Sequence, residues 1–221
     1  MLNNDLSQQI KRNFPYKPTE EQENAVKSFA EFLFSPSADS VFLMKGYAGT
    51  GKTTLISALV RTLDSLQRKV ILLAPTGRAA KVFSGYAGHP AYTIHQKRYR
   101  QKVLSNETDN FVANQNLHRN TLFIVDEASM IANEGLSGGH FGSGRLLDDL
   151  VQYVYNGLGC RLMLIGDTAQ LPPIGEEESP ALSVSALQGY GLEVTECVLT
   201  KVVRQTEGSG ILSNATALRE R

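Results

Sequence analysis

Residues 40–53 read SVFLMKGYAGTGKT, a short apolar run that passes directly into a glycine-rich loop. The run ends at Gly46, and residues 46–53 match G-x-x-x-x-G-K-[ST], a pattern that cradles phosphate groups. Apolar residues then recur at helical spacing from Lys52 to about Leu66, so the pattern predicts a strand, a loop and a helix in that order. This order predicts an α/β fold with a phosphate site at the carboxyl end of a buried strand.

Further apolar runs follow along the chain and alternate with helical patterns. The predicted strands are KVILLAP at 69–75, TLFIVDE at 121–127, RLMLIGD at 161–167 and LEVTECVLT at 192–200, and the other predicted helices are 19–34, 77–84 and 145–156. Strands that alternate with helices predict a parallel sheet covered by helices on both faces. Residues 1–18 are expected to be a polar lead-in, ordered or frayed, and SGGHFGSG at 137–144 to be a flexible loop.

Composition limits the class of protein. The chain has 221 residues, enough for one α/β domain, and 22 basic residues balance 22 acidic ones. A net charge of zero argues against a surface that binds nucleic acid throughout, but allows a local basic groove. Cys160 and Cys197 lie in no CxxC pair, which argues against a zinc site. No apolar run is long enough to span a membrane and the N-terminus lacks a signal peptide, so we expect a cytoplasmic protein.

The glycine-rich loop predicts which residues bind a nucleoside triphosphate. Its glycines let backbone N–H groups point at phosphate oxygens, and the helix N-terminus adds a positive dipole. Lys52 would reach the β- and γ-phosphates, and Thr53 would ligate Mg²⁺. The residues predicted to contact ATP here are Gly46, Ala48, Gly49, Thr50, Gly51, Lys52, Thr53 and Thr54.

Acidic residues follow two other predicted strands. An acid at the carboxyl end of a parallel strand lies beside the phosphate loop, so Asp126 would hold Mg²⁺ directly or through water. Glu127 would orient or deprotonate the attacking water. The segment LIGDTAQLPPIG at 164–175 has the same form, and the Gln170 amide in it would touch the γ-phosphate or its water, unless it is an ordinary loop glutamine.

Six segments, taken in order, resemble the superfamily 1 DNA helicases, and within them the RecD/Dda-type branch. They are GYAGTGKT, LLAPTGRAAKV, TIHQ, FIVDEASM, IGDTAQLPPIG and VVRQ. The resemblance covers roughly Thr19 to the last residue. It implies a P-loop, RecA-like ATPase domain that couples ATP hydrolysis to 5′-to-3′ travel along single-stranded DNA and to duplex unwinding.

The resemblance also assigns roles to single residues of the ATP site. Gln22 resembles a glutamine that reads the adenine edge, although Thr19 and Gln22 also fit a capping box at the start of a helix. Gln170 resembles the residue that couples the γ-phosphate to the DNA track. Arg204 resembles an arginine that reaches the γ-phosphate and stabilises the transition state, with a surface arginine as the alternative.

DNA contacts follow from the same resemblance. Pro75 and Thr76 lie where a strand passes into a helix, whose free N–H groups and Thr76 hydroxyl would hold a DNA phosphate. Thr93 and His95 resemble a second single-strand contact, although a lone histidine is often structural.

Residues 97–116 lie where this branch inserts a small β-hairpin, with SNETDN at 105–110 as its turn. Basic side chains beside Tyr99 suit a single-strand groove, but also a solvated charged hairpin. These side chains are Lys97, Arg98, Arg100 and Lys102, of which Arg98 is the predicted DNA contact.

Superfamily 1 motors have two RecA-like domains with ATP in the cleft between them, and the motifs here account for the first over residues 1–221. We therefore expect a monomeric first motor domain that lacks its second RecA-like partner, and that hydrolyses ATP poorly alone. The expected partners are single-stranded DNA and its junctions with duplex. The alternatives are a nucleotide-binding switch or scaffold and a small-molecule phosphotransferase.

Overall fold

A computed structural model describes residues 2–101, 111–113, 115–132, 145–173 and 175–203. Six of its strands form one parallel sheet in the order β3-β2-β6-β7-β1-β8, and β4 pairs with β5 in an antiparallel hairpin. The strands are β1 Ser40–Gly46, β2 Lys69–Ala74, β3 Ala91–Thr93, β4 Tyr99–Gln101, β5 Phe111–Ala113, β6 Thr121–Val125, β7 Arg161–Gly166 and β8 Glu193–Leu199.

Helices connect the strands of the sheet. They are α1 Leu2–Arg12, α2 Glu20–Leu33, α3 Lys52–Ser65, α4 Gly77–Ala87, α5 Ile94–Arg98, α6 Leu146–Tyr155 and α7 Val184–Gly189, with short 3₁₀ turns at Ala128–Met130 and Pro180–Leu182. The predicted helices and strands therefore end within a few residues of the observed ones. Within the described ranges, no helix has the length and apolar character needed to cross a bilayer.

The central strands bury both faces, because successive side chains point to opposite sides of the sheet. Phe42 and Met44 of β1 pack into one core beneath α1, α2, α3 and α4. Val41 and Leu43 pack into a second core beneath α6 and α7. The predicted parallel sheet with helices on both faces is confirmed.

The N-terminal lead-in is ordered, and its residues Leu2–Arg12 form helix α1, an element that the sequence did not indicate. Leu6 and Ile10 lie one turn apart and are 3% and 0% exposed against the first core. Lys11 Nζ also lies 2.6 Å from Glu23 Oε2 of α2. Most residues of α1 are polar, so the stability of this helix depends on the contacts that its narrow apolar face makes with the core.

The sheet brings the predicted site segments to one edge. The glycine-rich loop, Pro75, Asp126, Asp167 and Thr200 follow the carboxyl ends of β1, β2, β6, β7 and β8. In parallel sheets this edge is where ligands bind. The architecture therefore gathers residues that are far apart in the chain.

The hairpin strands β4 and β5 lie inside the predicted 97–116 insert and pair Tyr99 with Ala113. Its predicted turn at 105–110 and Lys102 lie outside the described residues, as do the predicted loop 137–144 and Arg204. Both cysteines are free thiols, with Cys160 buried and Cys197 half-buried.

Candidate active site

The glycine-rich loop turns tightly into the amino end of α3. Gly49 and Gly51 both have φ of 84°, in the left-handed region that favours glycine. A Cβ added at Gly51 would also collide with Gln22 Nε2. The Thr50 hydroxyl donates to Tyr47 O at 2.8 Å and braces the turn. The predicted phosphate cradle is therefore a tight turn that an internal hydrogen bond stabilises.

A cavity of about 760 Å³ opens beside this loop, which is within the usual range for small-molecule sites. Gly46 and Thr50 are buried behind the loop and do not line it. Of the residues predicted for ATP, catalysis and metal binding, those that line it are Gln22, Ala48, Gly49, Gly51, Lys52, Thr53, Thr54, Asp126, Glu127 and Gln170.

Lys52 occupies the centre of the site. Its Nζ donates to the backbone oxygens of Gly46 and, at 3.0 Å, of Tyr47, and it lies 3.9 Å from Asp167 Oδ2. Burial lowers the pKa of the Lys52 ammonium, and the carboxylates of Asp167, Asp126 and Glu127 oppose that shift. The cation therefore sits among three acids, close to where the loop would hold phosphates.

Asp126 is fixed through both its backbone and its side chain. Its N–H donates to Leu73 O at 3.0 Å, which ties the end of β6 to β2. Its Oδ2 accepts from the Tyr86 hydroxyl at 2.6 Å. Burial raises the pKa of the Asp126 carboxyl, while the bond from Tyr86 opposes this. A carboxylate oxygen at this position is a ligand of the type that Mg²⁺ prefers.

Glu127 has a strained backbone, with φ of 56° at a residue that is not glycine. Burial raises the pKa of its carboxyl, the charge of Asp126 raises it further, and a hydrogen bond from the Gln170 side chain opposes the shift. A carboxylate with a raised pKa is a better proton acceptor near neutral pH. The predicted base and the predicted γ-phosphate sensor, Gln170, line the same cavity.

Gln22 has the capping role that the sequence left open. Its Oε1 accepts from Thr19 N at 3.0 Å, and its N–H donates to Thr19 Oγ1 at 3.3 Å. Its Nε2 also donates to Thr50 O at 3.1 Å, so it ties α2 to the glycine-rich loop. An amide has two donor hydrogens and two acceptor lone pairs, so these bonds leave capacity for a base edge. Contact with adenine stays a prediction.

The segment after β8, residues 200–203, lies across the loop. Val203 N donates to Gly49 O at 2.9 Å. The Glu21 carboxylate accepts from Thr200 N at 2.8 Å, from Thr200 Oγ1 at 2.6 Å and from Lys201 N at 2.9 Å. This segment leads to Arg204, so its contacts place the chain beside the phosphate loop just before the predicted arginine.

Two capped helix starts lie at the β2–β3 side of the same edge, where Ala74 pairs with Thr93. The Thr76 hydroxyl caps α4 by accepting from Ala79 N at 3.2 Å. Thr93 Oγ1 accepts from Gln96 N at 3.1 Å at the start of α5. The hydroxyls of both predicted DNA-contact threonines therefore hold helix ends.

The other predicted DNA contacts differ in exposure. His95 is exposed, and partial burial of its ring lowers its pKa, with Asp149 opposing the shift. Only 13% of the Arg98 side chain is exposed, and its Nη2 lies 3.9 Å from Asp149 Oδ1 of α6. Contact of Pro75, Thr76, Thr93, His95 and Arg98 with DNA stays a prediction.

Three residues of the site were missed by sequence reasoning. Asp167 was visible as an acid after a strand, yet no role was assigned to it. Ser129 donates to Gln170 Oε1 at 2.7 Å, and Tyr86 donates to Asp126. Ser129 and Tyr86 lie in or near recognised motifs, but no periodicity or spacing pattern marks them. Each bonds a residue about 40 positions away in the chain, which a local pattern cannot show.

A glycine-rich loop with its lysine, facing two acidic strand ends across one cavity, defines a P-loop nucleotide-binding domain. The chain belongs to the AAA domain family (AAA_30), which it matches over residues 17–221.

Comparison with individual proteins is consistent with this membership. The chain is 30% identical over 190 residues to the ATP-dependent RecD2 DNA helicase of Deinococcus radiodurans, covering 86% of this chain and 23% of the relative. It is 29% identical over 148 residues to the ATP-dependent DNA helicase Pif1 of Bdellovibrio bacteriovorus, covering 62% of this chain and 30% of the relative. The chain therefore spans about a quarter to a third of the length of these curated relatives.

The fold also matches a solved helicase structure. The Bacteroides Pif1 helicase, in complex with ADP-AlF3 and single-stranded DNA, superposes with a TM-score of 0.53 at 19% identity, over 92% of this chain and 46% of that one. The predicted RecA-like fold and the resemblance to RecD-type superfamily 1 helicases are thus confirmed.

Proposed function

We propose that this chain is the ATP-binding first motor domain of a DNA helicase, coupling ATP hydrolysis to travel along single-stranded DNA. The observation that carries the proposal is the convergence of Lys52, Asp126, Glu127 and Gln170 on one cavity beside the glycine-rich loop. A nucleotide switch needs a phosphate cradle but no positioned base, whereas Glu127 here has a strained backbone and a carboxyl whose pKa is raised by burial. Relatives named RecD2 and Pif1 DNA helicases support the substrate class.

The residues present fit a magnesium-bound nucleotide. Thr53 exposes a hydroxyl on the first turn of α3, and Asp126 offers a carboxylate in the same cavity, so both supply the oxygen ligands that Mg²⁺ prefers. Mg²⁺ bound there would neutralise charge on the β- and γ-phosphates. Lys52 and the N–H groups of residues 49–53 would bind the phosphate oxygens.

Hydrolysis requires a proton acceptor beside the attacking water. Glu127 would take a proton from that water as its oxygen attacks the γ-phosphorus, and the bond to the bridging oxygen breaks to release ADP and phosphate. The Gln170 amide would contact the γ-phosphate or the attacking water from the same cavity. Arg204 would reach the γ-phosphate, as its resemblance to the helicase arginine implies, and the segment that leads to it contacts the loop at Gly49.

DNA would bind at the neighbouring side of the edge. The α4 N-terminus follows Pro75 and is capped by Thr76, which leaves first-turn N–H groups to hold a phosphate of the single strand. Thr93, His95 and Arg98 extend the proposed track towards the hairpin. A second RecA-like domain would close on the nucleotide, so that closing and opening alternate the grip on DNA.

Unwinding of a tailed duplex tests the proposal. The natural protein that carries this chain is mixed with a fluorescently labelled duplex that bears either a 5′ or a 3′ single-stranded tail. We expect ATP-dependent strand separation with the 5′ tail, and none when Lys52 is replaced by alanine. Separation from the 3′ tail alone would reverse the proposed direction, and separation from neither would exclude the helicase activity.

A further inference from the structure

Tyr86 lies outside the motifs that define the site, yet its hydroxyl reaches the predicted metal carboxylate. The hydroxyl donates to Asp126 Oδ2 at 2.6 Å, which is in the short range of hydrogen bonds to ionised acceptors. Tyr86 comes from the last turn of α4 and Asp126 from the end of β6, so 40 residues of chain separate the two.

The Tyr86 ring is held independently of Asp126. It stacks on Phe83, with ring centroids 5.2 Å apart and an angle of 27° between the rings, and Phe83 is fully buried. The Tyr86 backbone oxygen accepts from Ser57 Oγ at 2.7 Å, and Ser57 lies on α3, the helix that begins with Lys52. The phenol is therefore anchored to the phosphate-loop helix before it reaches the carboxylate.

The Asp126 backbone is fixed by Leu73 O, so rotation of its side chain is the main freedom left to the carboxylate. The Tyr86 hydroxyl restricts that rotation by binding one of the two oxygens. Carboxylate oxygens have about four lone-pair sites in all, so this bond and a metal contact are compatible. Groups that orient a metal ligand in this way commonly change metal affinity by about 10- to 100-fold when removed.

We propose that Tyr86 is a positioning residue that fixes the Asp126 carboxylate in the orientation in which it holds the Mg²⁺ of the bound nucleotide. This inference rests on the proposed ATP site. Tyr86 touches no phosphate in this role, and acts through Asp126 alone.

Binding of a fluorescent, non-hydrolysable ATP analogue to the natural protein, titrated with Mg²⁺, tests the role. We expect Tyr86→Phe to raise the Mg²⁺ concentration for half-maximal tight binding about 10-fold, with analogue affinity in EDTA unchanged. Tyr190→Phe is the matched control, because the Tyr190 hydroxyl also donates to a carboxylate, that of Asp148, but outside the cavity, so the Mg²⁺ midpoint should stay unchanged. Asp126→Asn should remove most of the Mg²⁺ response.

The outcomes separate this role from others. An unchanged midpoint in Tyr86→Phe would overturn the inference while leaving the ATP site intact. If Tyr86→Phe weakened binding of the analogue equally in Mg²⁺ and in EDTA, the inference would be overturned in favour of a purely structural role. A structural role would also lower the Tm of the nucleotide-free variant. Failure of the unaltered protein to bind the analogue would overturn the proposed function and this inference with it.

Discussion

Ser129 Oγ donates to Gln170 Oε1 at 2.7 Å, linking the 3₁₀ turn after β6 to the segment after β7. Ser129 is 2% exposed, so its hydroxyl cannot easily turn to water. The Gln170 side chain held in this way lines the same cavity as Glu127, and it opposes the rise in the pKa of the Glu127 carboxyl. The orientation of the predicted γ-phosphate sensor thus depends on a buried serine that does not itself line the cavity.

Ser129→Ala should slow ATP hydrolysis without weakening nucleotide binding. A neutral hydrogen bond contributes about 0.5–1.5 kcal/mol, so we expect kcat to fall about 2- to 10-fold as the Gln170 amide loses its fixed orientation. Steady-state kinetics of ATP hydrolysis measures this. Ser185→Ala on the exposed side of α7 is the control, and equal kcat values for both variants would contradict the assigned role.

Glu127→Gln should separate binding from hydrolysis. The amide keeps the size of the side chain but cannot accept the proton of water, so we expect single-turnover hydrolysis to slow by about 10²- to 10⁴-fold. Affinity for the ATP analogue should stay within the wild-type range. Glu193→Gln, at the exposed start of β8, should hydrolyse normally. Substantial activity in Glu127→Gln would show that another group activates the water.

Gly51→Ala should damage both the loop and the stability of the fold. The left-handed backbone at this position costs a residue with a Cβ about 1–2 kcal/mol, and the new atom would also displace Gln22. We expect a lower free energy of unfolding by at least that amount and loss of ATP binding. Chemical denaturation and analogue binding measure the two effects.

The control for this substitution is Gly85→Ala, because Gly85 lies within α4 and a Cβ there meets no atom within 4 Å. It should stabilise the protein by about 0.5–1 kcal/mol through helix propensity. A decrease in the free energy of unfolding for Gly51→Ala and an increase for Gly85→Ala would support the geometry of the loop. A harmless Gly51→Ala would refute it.

Glu21→Gln should loosen residues 200–203 in a pH-dependent manner. Burial raises the pKa of the Glu21 carboxyl, but hydrogen bonds from Lys201 and Thr200 outweigh burial, so its pKa lies below the ordinary value. A depressed pKa means that the stabilisation is present at neutral pH and is lost as the pH falls below the ordinary glutamate range. The Tm difference between the wild type and Glu21→Gln should therefore shrink in acid.

Thermal unfolding over a series of buffers from neutral to acidic pH checks this trend. Glu20→Gln is the matched control on the same helix turn, where the side chain is exposed, and we expect only a small change in Tm. A Tm difference for Glu21→Gln that is constant with pH would argue that the carboxylate charge does not hold the segment.

The strands and the phosphate loop were predictable because their signals are local. A strand buried on both faces needs an unbroken apolar run such as Val41–Met44, and the loop needs glycine wherever φ is positive. The positions of the acids after β6 and β7 were predictable too, because the carboxyl ends of parallel strands lie at the edge of the sheet where ligands bind. Sequence patterns therefore located most of the cavity wall.

Other features depend on contacts that no local pattern encodes. Helix α1 has few apolar residues, and Leu6 and Ile10 become a helical face only against a finished core. The Tyr86 and Ser129 bonds join distant segments of chain, so neither residue stands out before the sheet is assembled. The sequence allowed two roles for Gln22. In the structure its side chain caps α2 and also donates a hydrogen bond to Thr50 O of the phosphate loop.

The rate of ATP hydrolysis by the natural protein, measured with and without single-stranded DNA and beside a Lys52→Ala variant, tests the coupling of the ATP site to DNA. We expect DNA to stimulate hydrolysis strongly and the Lys52→Ala variant to abolish it, because the phosphate loop and the proposed DNA track share one edge of the sheet. Hydrolysis that is indifferent to DNA, or that persists without Lys52, would contradict a DNA-coupled motor.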